Sequence, residues 1–406
     1  MQNAKYHNRK RIYMMTTGAL LIFFTGFPHI WSIYQPYVMN AVNWTQTQAS
    51  ICFYISLATF VLGNIIGGKL QHKYSPKFTI IVGGAIFSLS ILLSSFLIIK
   101  NPLPMYITYG VMQGIGDGMV YAIILNTAQK WFTNRTGFAT GIIVTANALC
   151  GLIMTPISRV LLEKIGLKFT FLIIGIVITI CWLIACIFFY VPKVEKIKIE
   201  NKATKQYSSK EMLKRSEFYF LLIAMMFGLI SYFLVSPVSQ IYQIEAGIPT
   251  KIAVSSVMVG SIANAIMRIS LPAISDKVSK TFCIKIVLLL SIIAMLMITL
   301  GKSYSVTFSV ILIYGCYGGI MGIFPAITSH LFGVDNLGEN YGLVMIGYAL
   351  ASISTPIVSK ILLNDGFAMK NIFSFGIVFS IISFISLIML EKVLKNAKNK
   401  GGYKCH

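Results

Sequence analysis

Charged residues are scarce in this chain: Asp, Glu, Lys and Arg make up only 11% of its 406 residues, while 56% are hydrophobic. Ordinary soluble domains are about 25% charged and about 45–50% apolar even when glycine is counted. A single soluble core cannot bury so much apolar surface at this length. The composition also excludes a disordered chain, and no heptad repeat or low-complexity tract is present. What remains is a protein that crosses a membrane several times.

The motifs of catalysis and of metal binding are missing as well. The sequence has no Walker motif, no G-x-S-x-G and no cluster of His, Cys and Asp with the spacing of metal ligands. Seven cysteines are present, an odd number, and their spacing fits neither a disulfide framework nor a zinc site. We therefore expect no enzyme activity, no cofactor and no metal.

Long apolar runs fill most of the chain, and a membrane-spanning helix needs about 20 apolar residues. The runs predict an all-α membrane protein with twelve transmembrane helices. We place the first six at 13–37, 49–70, 78–99, 104–128, 137–162 and 169–191. We place the other six at 217–241, 252–274, 282–300, 306–332, 339–362 and 369–390.

A polar stretch rich in Lys, Glu, Asn and Ser separates the first six spans from the second six. Its position predicts an N-terminal six-helix bundle over 1–191, a cytosolic linker over 192–216 and a C-terminal six-helix bundle over 217–391. A basic cytosolic tail over 392–406 completes the chain. This arrangement has the outline of two repeated halves.

The net charge of +22 is spread unevenly along the sequence. Of the 34 Lys and Arg residues, 25 lie in the termini, the linker and the even-numbered connections, whereas 8 lie in the odd-numbered connections. Cytosolic segments of membrane proteins carry such an excess. We therefore predict that both termini are cytosolic and that the basic residues meet the headgroups of the lipid bilayer rather than nucleic acid. The pattern does not distinguish the plasma membrane from an organelle membrane.

Arg268 is the one basic residue inside a predicted span. A charged side chain at the bilayer centre costs at least about 2.5–3.5 kcal/mol, so such residues face a polar cavity or a partner. One interpretation is a fixed cation for an anionic substrate, because the planar guanidinium donates two parallel hydrogen bonds to a carboxylate. The other is a side chain that snorkels to the cytosolic headgroups.

Asp117 is the one acidic residue deep in a span, between glycines at 116 and 118. Its side chain is too short to snorkel, and burial favours the neutral form of a carboxyl group. Three roles stay open: a carrier of a coupling proton, a charge partner of Arg268, or a neutral hydrogen-bond donor between helices. Tyr121 lies four residues later on the same helix face, where its hydroxyl lines the same cavity or packs in the bundle.

Three further polar or aromatic side chains are candidates for lining a cavity. His29 follows Pro28 in the first span, where the helix is expected to kink. Tyr317 lies in a glycine-rich part of the tenth span, and Tyr348 lies in the middle of the eleventh. Each of the three is equally compatible with a packed core residue.

The region around the fourth and fifth spans resembles a known family. It contains Gly-x-Gly-x-Gly-x-x-Tyr over 114–121 and then, in order, Asn126-Thr127-Ala128, Trp131-Phe132, Arg135, Gly137, Ala139 and Gly141. This pattern is similar to the oxalate–formate antiporter family of the major facilitator superfamily, which is related to the monocarboxylate transporters. Weaker matches are Gly67-Gly68, Pro76-Lys77, Ser275-Asp276-Lys277, Phe324-Pro325 and Asn340-Tyr341-Gly342.

The resemblance implies the major facilitator fold, which is two six-helix bundles with a central anion site and alternating access. Arg268, eight residues before Asp276, matches the arginine of the eighth span that pairs with substrate carboxylate in this family. Tyr121 matches a cavity tyrosine, and His29 and Tyr317 stand where the family has other aromatic cavity residues. By the same resemblance, Asp276 and Lys277 match a gating motif, and this match favours a gating role over the alternative of a solvated loop charge.

The departures from the family pattern bear on the substrate. Tyr348 stands where the dicarboxylate-binding branch has a second cation, a lysine, and Met345 replaces a cavity tryptophan. Asp117 is an acid that the family does not lead us to expect. One cation leaves a dianion such as oxalate half neutralised in a site of low dielectric constant. One cation and one protonatable acid suit a monocarboxylate, moved with a proton or by exchange.

Three hypotheses of function follow. The preferred one is a secondary active transporter, a symporter or antiporter, for a small organic anion such as a monocarboxylate, with protons as a candidate coupling ion. The second is a carrier of a zwitterionic or neutral solute such as an amino acid, with Asp117 and Arg268 paired. The third is a membrane receptor or scaffold without transport, which two buried charges argue against.

Overall fold

The computed structural model describes residues 2–132, 136–191, 206–275, 277–301, 304–333, 336–364 and 368–399. Within these ranges the chain forms helices joined by short turns, and none of the described residues lies in a β-strand. The chain is therefore an all-α membrane protein, as predicted. Asp276 lies outside the described residues, and so does most of the predicted linker.

The helices of the first half follow the predicted spans closely. In chain order they are α1 (Gln2–Phe24), α2 (Trp31–Val42), α3 (Gln46–Lys73), α4 (Pro76–Ser94), α5 (Leu103–Met105), α6 (Gln113–Trp131) and α7 (Thr136–Phe188). A 3-10 turn, Phe27–Ile30, joins α1 to α2, and a π-helical segment, Tyr106–Met112, joins α5 to α6. Within α7, Gly166 has a left-handed φ of 76°, so this 53-residue helix contains a break between two crossings.

The helices of the second half also fall on the predicted spans. They are α8 (Ser209–Met212), α9 (Ser216–Val235), α10 (Ser239–Glu245), α11 (Thr250–Ser275), α12 (Lys280–Leu300), α13 (Tyr304–Phe332), α14 (Leu337–Val344), α15 (Ile346–Asn364) and α16 (Met369–Asn399). The short helix α8 lies within the stretch predicted as linker. The last helix runs eight residues into the predicted tail, since it ends at Asn399 rather than near 391.

Ten helical stretches of the described chain are long and apolar enough to cross a membrane. One of them, Gly141–Phe188, covers two predicted spans on either side of the break at Gly166. The fourth predicted span is helical from Leu103 to Trp131. Many large apolar side chains are exposed on these helices, for example Leu62, Ile187 and Leu300. Such surfaces suit contact with lipid tails and not with water.

The sequence sets several helix starts through local capping. Thr45 and Gln48 form a capping box at the beginning of α3, in which each side chain satisfies a backbone N–H of the other. The Ser75 hydroxyl accepts from the N–H of Phe78, and Pro76 occupies the first position of α4, where its missing N–H has no helical partner to lose. The Ser279 hydroxyl caps α12 in the same way.

The chain divides into two compact units. The first comprises Met1–Val194 together with Ser236–Glu245 and Pro249–Ile262. Its core includes a close packing of α6 against α3 and α4, where a side chain on Gly116 would meet the backbone of Phe87 at 2.5 Å. Small residues allow helices to approach this closely in membranes.

The second unit comprises Glu195–Val235, Ala246–Ile248 and Ala263–His406. In its core α9 packs against α13, α15 and α16, and α12 packs against α13 and α16. A Cβ on Gly322 would come within 2.9 Å of the backbone oxygen of Arg268, so α13 lies directly against the second half of α11. This close approach positions the side chains described next.

Candidate functional site

Arg268 is buried in the second unit, with 4% of its surface exposed. It lies on α11, and its Nε donates a hydrogen bond of 2.8 Å to Oδ1 of Asn264, one helical turn earlier. Residues four apart share a face of a helix, so the amide lies directly beside the guanidinium. A buried cation is thereby held in one orientation by a neutral acceptor.

A cluster of tyrosines begins beside the Arg268 guanidinium. Its Cζ lies 5.4 Å from the centre of the Tyr317 ring, within the range of a cation–π contact. The Tyr232 ring stacks on Tyr317 with centroids 4.0 Å apart and planes inclined by 16°. The hydroxyl groups of Tyr317 and Tyr348 are 3.4 Å apart, and Phe233 packs edge-on against Tyr348 at 5.1 Å. The structure thus brings together three predicted site residues, Arg268, Tyr317 and Tyr348.

Glycines on α13 make this cluster geometrically possible. A Cβ at Gly318 would clash with both the backbone oxygen and the side chain of Asn264, so only glycine fits there without displacement. Because Tyr317 precedes Gly318, the same close approach puts its ring beside Arg268. The glycine-rich stretch of the tenth predicted span therefore has a packing role.

Asn264 and Tyr232 belong to this cluster, and the sequence analysis did not select them. An amide carries no charge, so Asn264 does not stand out from the other polar residues within the predicted spans. The available signal was the spacing, because Asn264 stands four residues before a buried arginine. Tyr232 had no distinguishing signal among the 20 tyrosines of the chain.

Asp117 is buried in the first unit, with 2% of its surface exposed. Its Oδ2 accepts a hydrogen bond of 3.4 Å from Nε2 of Gln113, one turn earlier on α6. The Gln113 Oε1 accepts in turn from the hydroxyl of Ser56 on α3. The second carboxyl oxygen, Oδ1, is buried and has no hydrogen-bond partner among the described residues. Gln113 and Ser56 were not selected from the sequence, for the same reason as Asn264.

Two other predicted site residues have different surroundings. Tyr121 is buried in an apolar cluster that includes Val120 and Ile124, and its ring packs edge-on against Phe60 at 5.3 Å. His29 is half-buried in the 3-10 turn Phe27–Ile30, where its backbone N–H donates to the Gly26 oxygen. Their roles at a substrate cavity stay predictions.

The predicted gating pair is only partly described. Lys277 is exposed just beyond α11, and its N–H donates to the backbone oxygen of Ile274. Asp276 lies outside the described residues, so the gating role of the pair stays a prediction.

Another buried acid, Glu217, has an evident partner. It lies in the first turn of α9 and forms an ion pair of 2.7 Å with Nη2 of Arg215. Within the described ranges, no group of three or more His, Cys, Asp or Glu side chains is arranged to hold a metal ion.

The sequence matches the family model of the Major Facilitator Superfamily over residues 14–353. The MFS-type transporter YhjX of Escherichia coli is 25% identical over 335 residues, which cover 82% of this chain and 83% of the relative. The oxalate:formate antiporter of Oxalobacter formigenes is 24% identical, covering 95% and 94%. Monocarboxylate transporter 12 of Xenopus laevis is 23% identical, covering 82% and 78%.

A solved structure shares the fold. A POT family transporter crystallised with a thioalcohol-conjugated peptide superposes with a TM-score of 0.72 at 14% identity. The match covers 93% of this chain and 96% of that one. The predicted major facilitator fold is therefore confirmed. The relatives are transporters, which points to transport and not to catalysis.

Proposed function

Because the chain belongs to the Major Facilitator Superfamily, we propose that it is a secondary active transporter of a small organic anion, in particular a monocarboxylate. The substrate crosses by alternating access, either together with a proton or in exchange for a second anion. This multi-pass membrane protein is oriented with both termini in the cytosol, in agreement with its distribution of basic residues.

The buried Arg268 is the observation that carries this proposal. A cation in a membrane-spanning helix is costly, and such residues mark substrate and ion pathways. Its orientation is fixed by Asn264 and by the Tyr317 ring, so little side-chain entropy is lost when it binds. A guanidinium held in this way recognises a carboxylate by two parallel, charge-assisted hydrogen bonds.

The surroundings of Arg268 favour one carboxylate over two. Tyr348 contributes a neutral hydroxyl near Tyr317, at the position where the dicarboxylate-binding branch of the resembling family has a lysine. A second carboxylate would therefore stay without a cation in a medium of low dielectric constant. A substrate with one carboxylate and a small apolar part, such as formate, acetate, lactate or pyruvate, fits one cation with aromatic neighbours.

The relatives agree with an anionic substrate. Two of them are named for carboxylate transport: an oxalate:formate antiporter and a monocarboxylate transporter. We further propose that Tyr121 and His29 contribute to the substrate pathway and that Asp276 and Lys277 act in gating. Those four roles rest on the family pattern.

A zwitterionic or neutral solute, such as an amino acid, is the second candidate. It is favoured by the Asp117 carboxyl group, which has one oxygen without a partner among the described side chains. If the charges of Asp117 and Arg268 offset each other, the protein would accept a substrate with no net charge. Uptake of labelled amino acids that generates no membrane current would support this candidate.

Uptake into proteoliposomes tests the proposal. Labelled formate, acetate, lactate, pyruvate and oxalate are supplied to wild type, Arg268→Ala and Arg268→Lys. We expect wild type to take up at least one monocarboxylate in preference to oxalate. Arg268→Ala should lose about 100-fold or more of this activity, since a hydrogen-bonded charge pair is worth several kcal/mol. Arg268→Lys should recover only part of it, because an ammonium lacks the planar fork.

Arg159→Ala is the matched control. Arg159 is partly exposed and pairs with Glu163 one turn away at 2.7 Å, so its removal should leave uptake unchanged. If folded wild-type protein moves none of the acids, or if Arg268→Ala moves them normally, the proposed function is wrong.

A further inference from the structure

We propose that Asp117 is a proton-binding site inside the N-terminal helices and that its protonation is coupled to anion transport. The proposal that Asp117 binds a proton is based on the geometry of the first unit. The coupling part rests on the proposed function. Together they assign to Asp117 one of the three roles that the sequence leaves open.

The two oxygens of the Asp117 carboxyl group differ in their hydrogen bonding. Oδ2 accepts one long hydrogen bond, 3.4 Å, from Gln113, whereas Oδ1 has no partner within the described structure. With 2% of its surface exposed, the group has almost no access to water. An ionised carboxylate in this setting lacks most of the hydrogen bonds that would compensate its burial, so the neutral acid is favoured.

The direction of the hydrogen bonds favours the opposite charge state. The Ser56 hydroxyl donates to Oε1 of Gln113, which turns the amide so that its Nε2 faces Asp117. An N–H that donates to a carboxylate oxygen stabilises the anion. Burial therefore favours the neutral acid, and hydrogen bonding favours the anion. A group in this balance exchanges a proton when its surroundings change.

A permanently neutral hydrogen-bond donor fits the contacts less well. A protonated carboxyl group in such a role needs an acceptor for its O–H. Oδ2 already faces the amide N–H of Gln113, and Oδ1 faces no acceptor among the described residues. Within the described structure, the Asp117 side chain therefore donates no hydrogen bond to another helix. Such a bond would be needed to stabilise a permanently protonated carboxyl group.

The helix packing around Asp117 indicates how a movement of the helices would change the environment of its carboxyl group. The flanking glycines place α6 backbone-to-backbone against its neighbours, Gly118 against Phe60 on α3 and Gly116 against Phe87 on α4. A π-helical segment, Tyr106–Met112, ends just before Gln113. Such segments are energetically marginal and frequent at functional sites. Ionisation of Asp117 would favour any state in which this packing loosens and admits water.

The other titratable groups near Asp117 are neutral in their ordinary form at physiological pH. Tyr109 of the π-helical segment and Cys150 of α7 are within electrostatic range of the carboxyl group, and Cys52 of α3 lies near Tyr109. The packed helix α4 has one charged residue, Lys77, at its beginning. The charged residues of α1, α3 and α7 lie outside the predicted spans or near their ends; they are Lys5, Arg9, Lys10, Arg11, Lys69, Lys73, Arg159, Glu163, Lys164 and Lys168.

Infrared difference spectroscopy tests proton binding without any substrate. We expect reconstituted wild type to show the stretching band of a protonated carboxyl group that titrates with pH, and Asp117→Asn to lack it. In Gln113→Leu the band should persist to higher pH, because the hydrogen bond that favours the anion is gone. Ser88→Ala, which removes another buried hydroxyl without a described partner, should match wild type. A band that is absent from wild type, or unchanged in Asp117→Asn, overturns the proposal.

Two transport assays test the coupling, using whichever of formate, acetate, lactate or pyruvate the wild type takes up. A pH-sensitive dye inside the proteoliposomes reports proton entry with the acid. In Asp117→Asn, net uptake driven by a proton gradient should fall by about tenfold or more, while exchange of internal for external acid stays within about twofold, because only net movement requires proton release. Equal gradient-driven uptake and proton entry in wild type and Asp117→Asn would overturn the coupling.

Wild type that moves no acid would instead contradict the proposed function, and the infrared result would still decide proton binding.

Discussion

At the scale of single residues, Asp117 and Arg268, which are buried within long helices, are each accompanied by a neutral amide one helical turn earlier. Asn264 accepts from the Arg268 guanidinium, and Gln113 donates to the Asp117 carboxyl group. An amide can stabilise either sign of charge without neutralising it. The amide therefore leaves Arg268 charged for a substrate anion and lets Asp117 ionise or bind a proton, while part of the cost of burial is offset.

Substitution of Asn264 by Leu should weaken anion binding more than turnover. The isosteric side chain fills the space but gives Nε of Arg268 no acceptor, so the guanidinium loses its fixed orientation. Hydrogen bonds to charged groups are worth about 1.5–3 kcal/mol, which predicts a KM raised by about tenfold or more. The KM is measured from the dependence of proteoliposome uptake on substrate concentration.

The control for this substitution lies on the same helix. Ser270 is partly exposed, and its hydroxyl donates to the backbone oxygen of Ile266, so Ser270→Ala should leave KM unchanged. If Asn264→Leu lowers the maximal rate and leaves KM at its wild-type value, Asn264 does not position Arg268.

At the scale of helices, the sequence predicted where the chain crosses the membrane but not how the helices are interrupted. The apolar runs predict where the helices cross, because a membrane-spanning helix needs about 20 apolar residues. The π-helical segment Tyr106–Met112 and the 3-10 turn Phe27–Ile30 depend on packing against neighbouring helices, which composition does not encode. Likewise, Tyr317 and Tyr348 stand out in the sequence by their positions within predicted spans, whereas the role of Asn264 becomes evident from its contact with Arg268.

Glycine substitutions on α13 test the packing that forms the Arg268 cluster. In Gly318→Ala the new methyl group would clash with the backbone and side chain of Asn264. Overpacking of this kind costs about 1–3 kcal/mol, so we expect a lower melting temperature in detergent together with reduced uptake. Gly315→Ala is the matched control, because its Cβ would meet Ala263 at an ordinary 3.5 Å. Equal melting temperatures for the two variants would contradict this account of α13.

At the scale of the whole molecule, the family membership and the fold are established, and the orientation in the membrane is a prediction from charge. The excess of basic residues in the termini and linker predicts that these segments lie in the cytosol. The same excess accounts for a net charge of +22 without any nucleic-acid partner. Each of the two compact units contributes one of the two charges buried at mid-helix: Asp117 in the first and Arg268 in the second.

Cysteine labelling tests this orientation. Cys405 lies one residue from the end of the chain, and the other six cysteines are buried or half-buried. A membrane-impermeant maleimide should therefore label wild type in inside-out vesicles and not in right-side-out vesicles. Lys100→Cys in a Cys405→Ser background should give the opposite result, since Lys100 is exposed in an odd-numbered connection. The same labelling side for both cysteines would refute the orientation.

The central claim is that the Arg268 guanidinium binds a substrate carboxylate. Calorimetric titration of the purified protein tests it most directly, with pyruvate and its uncharged methyl ester as ligands and Arg268→Gln as the variant. The account predicts that wild type binds pyruvate and not the ester, and that Arg268→Gln binds neither. Equal binding of acid and ester by wild type, or unchanged binding of pyruvate by Arg268→Gln, would contradict it.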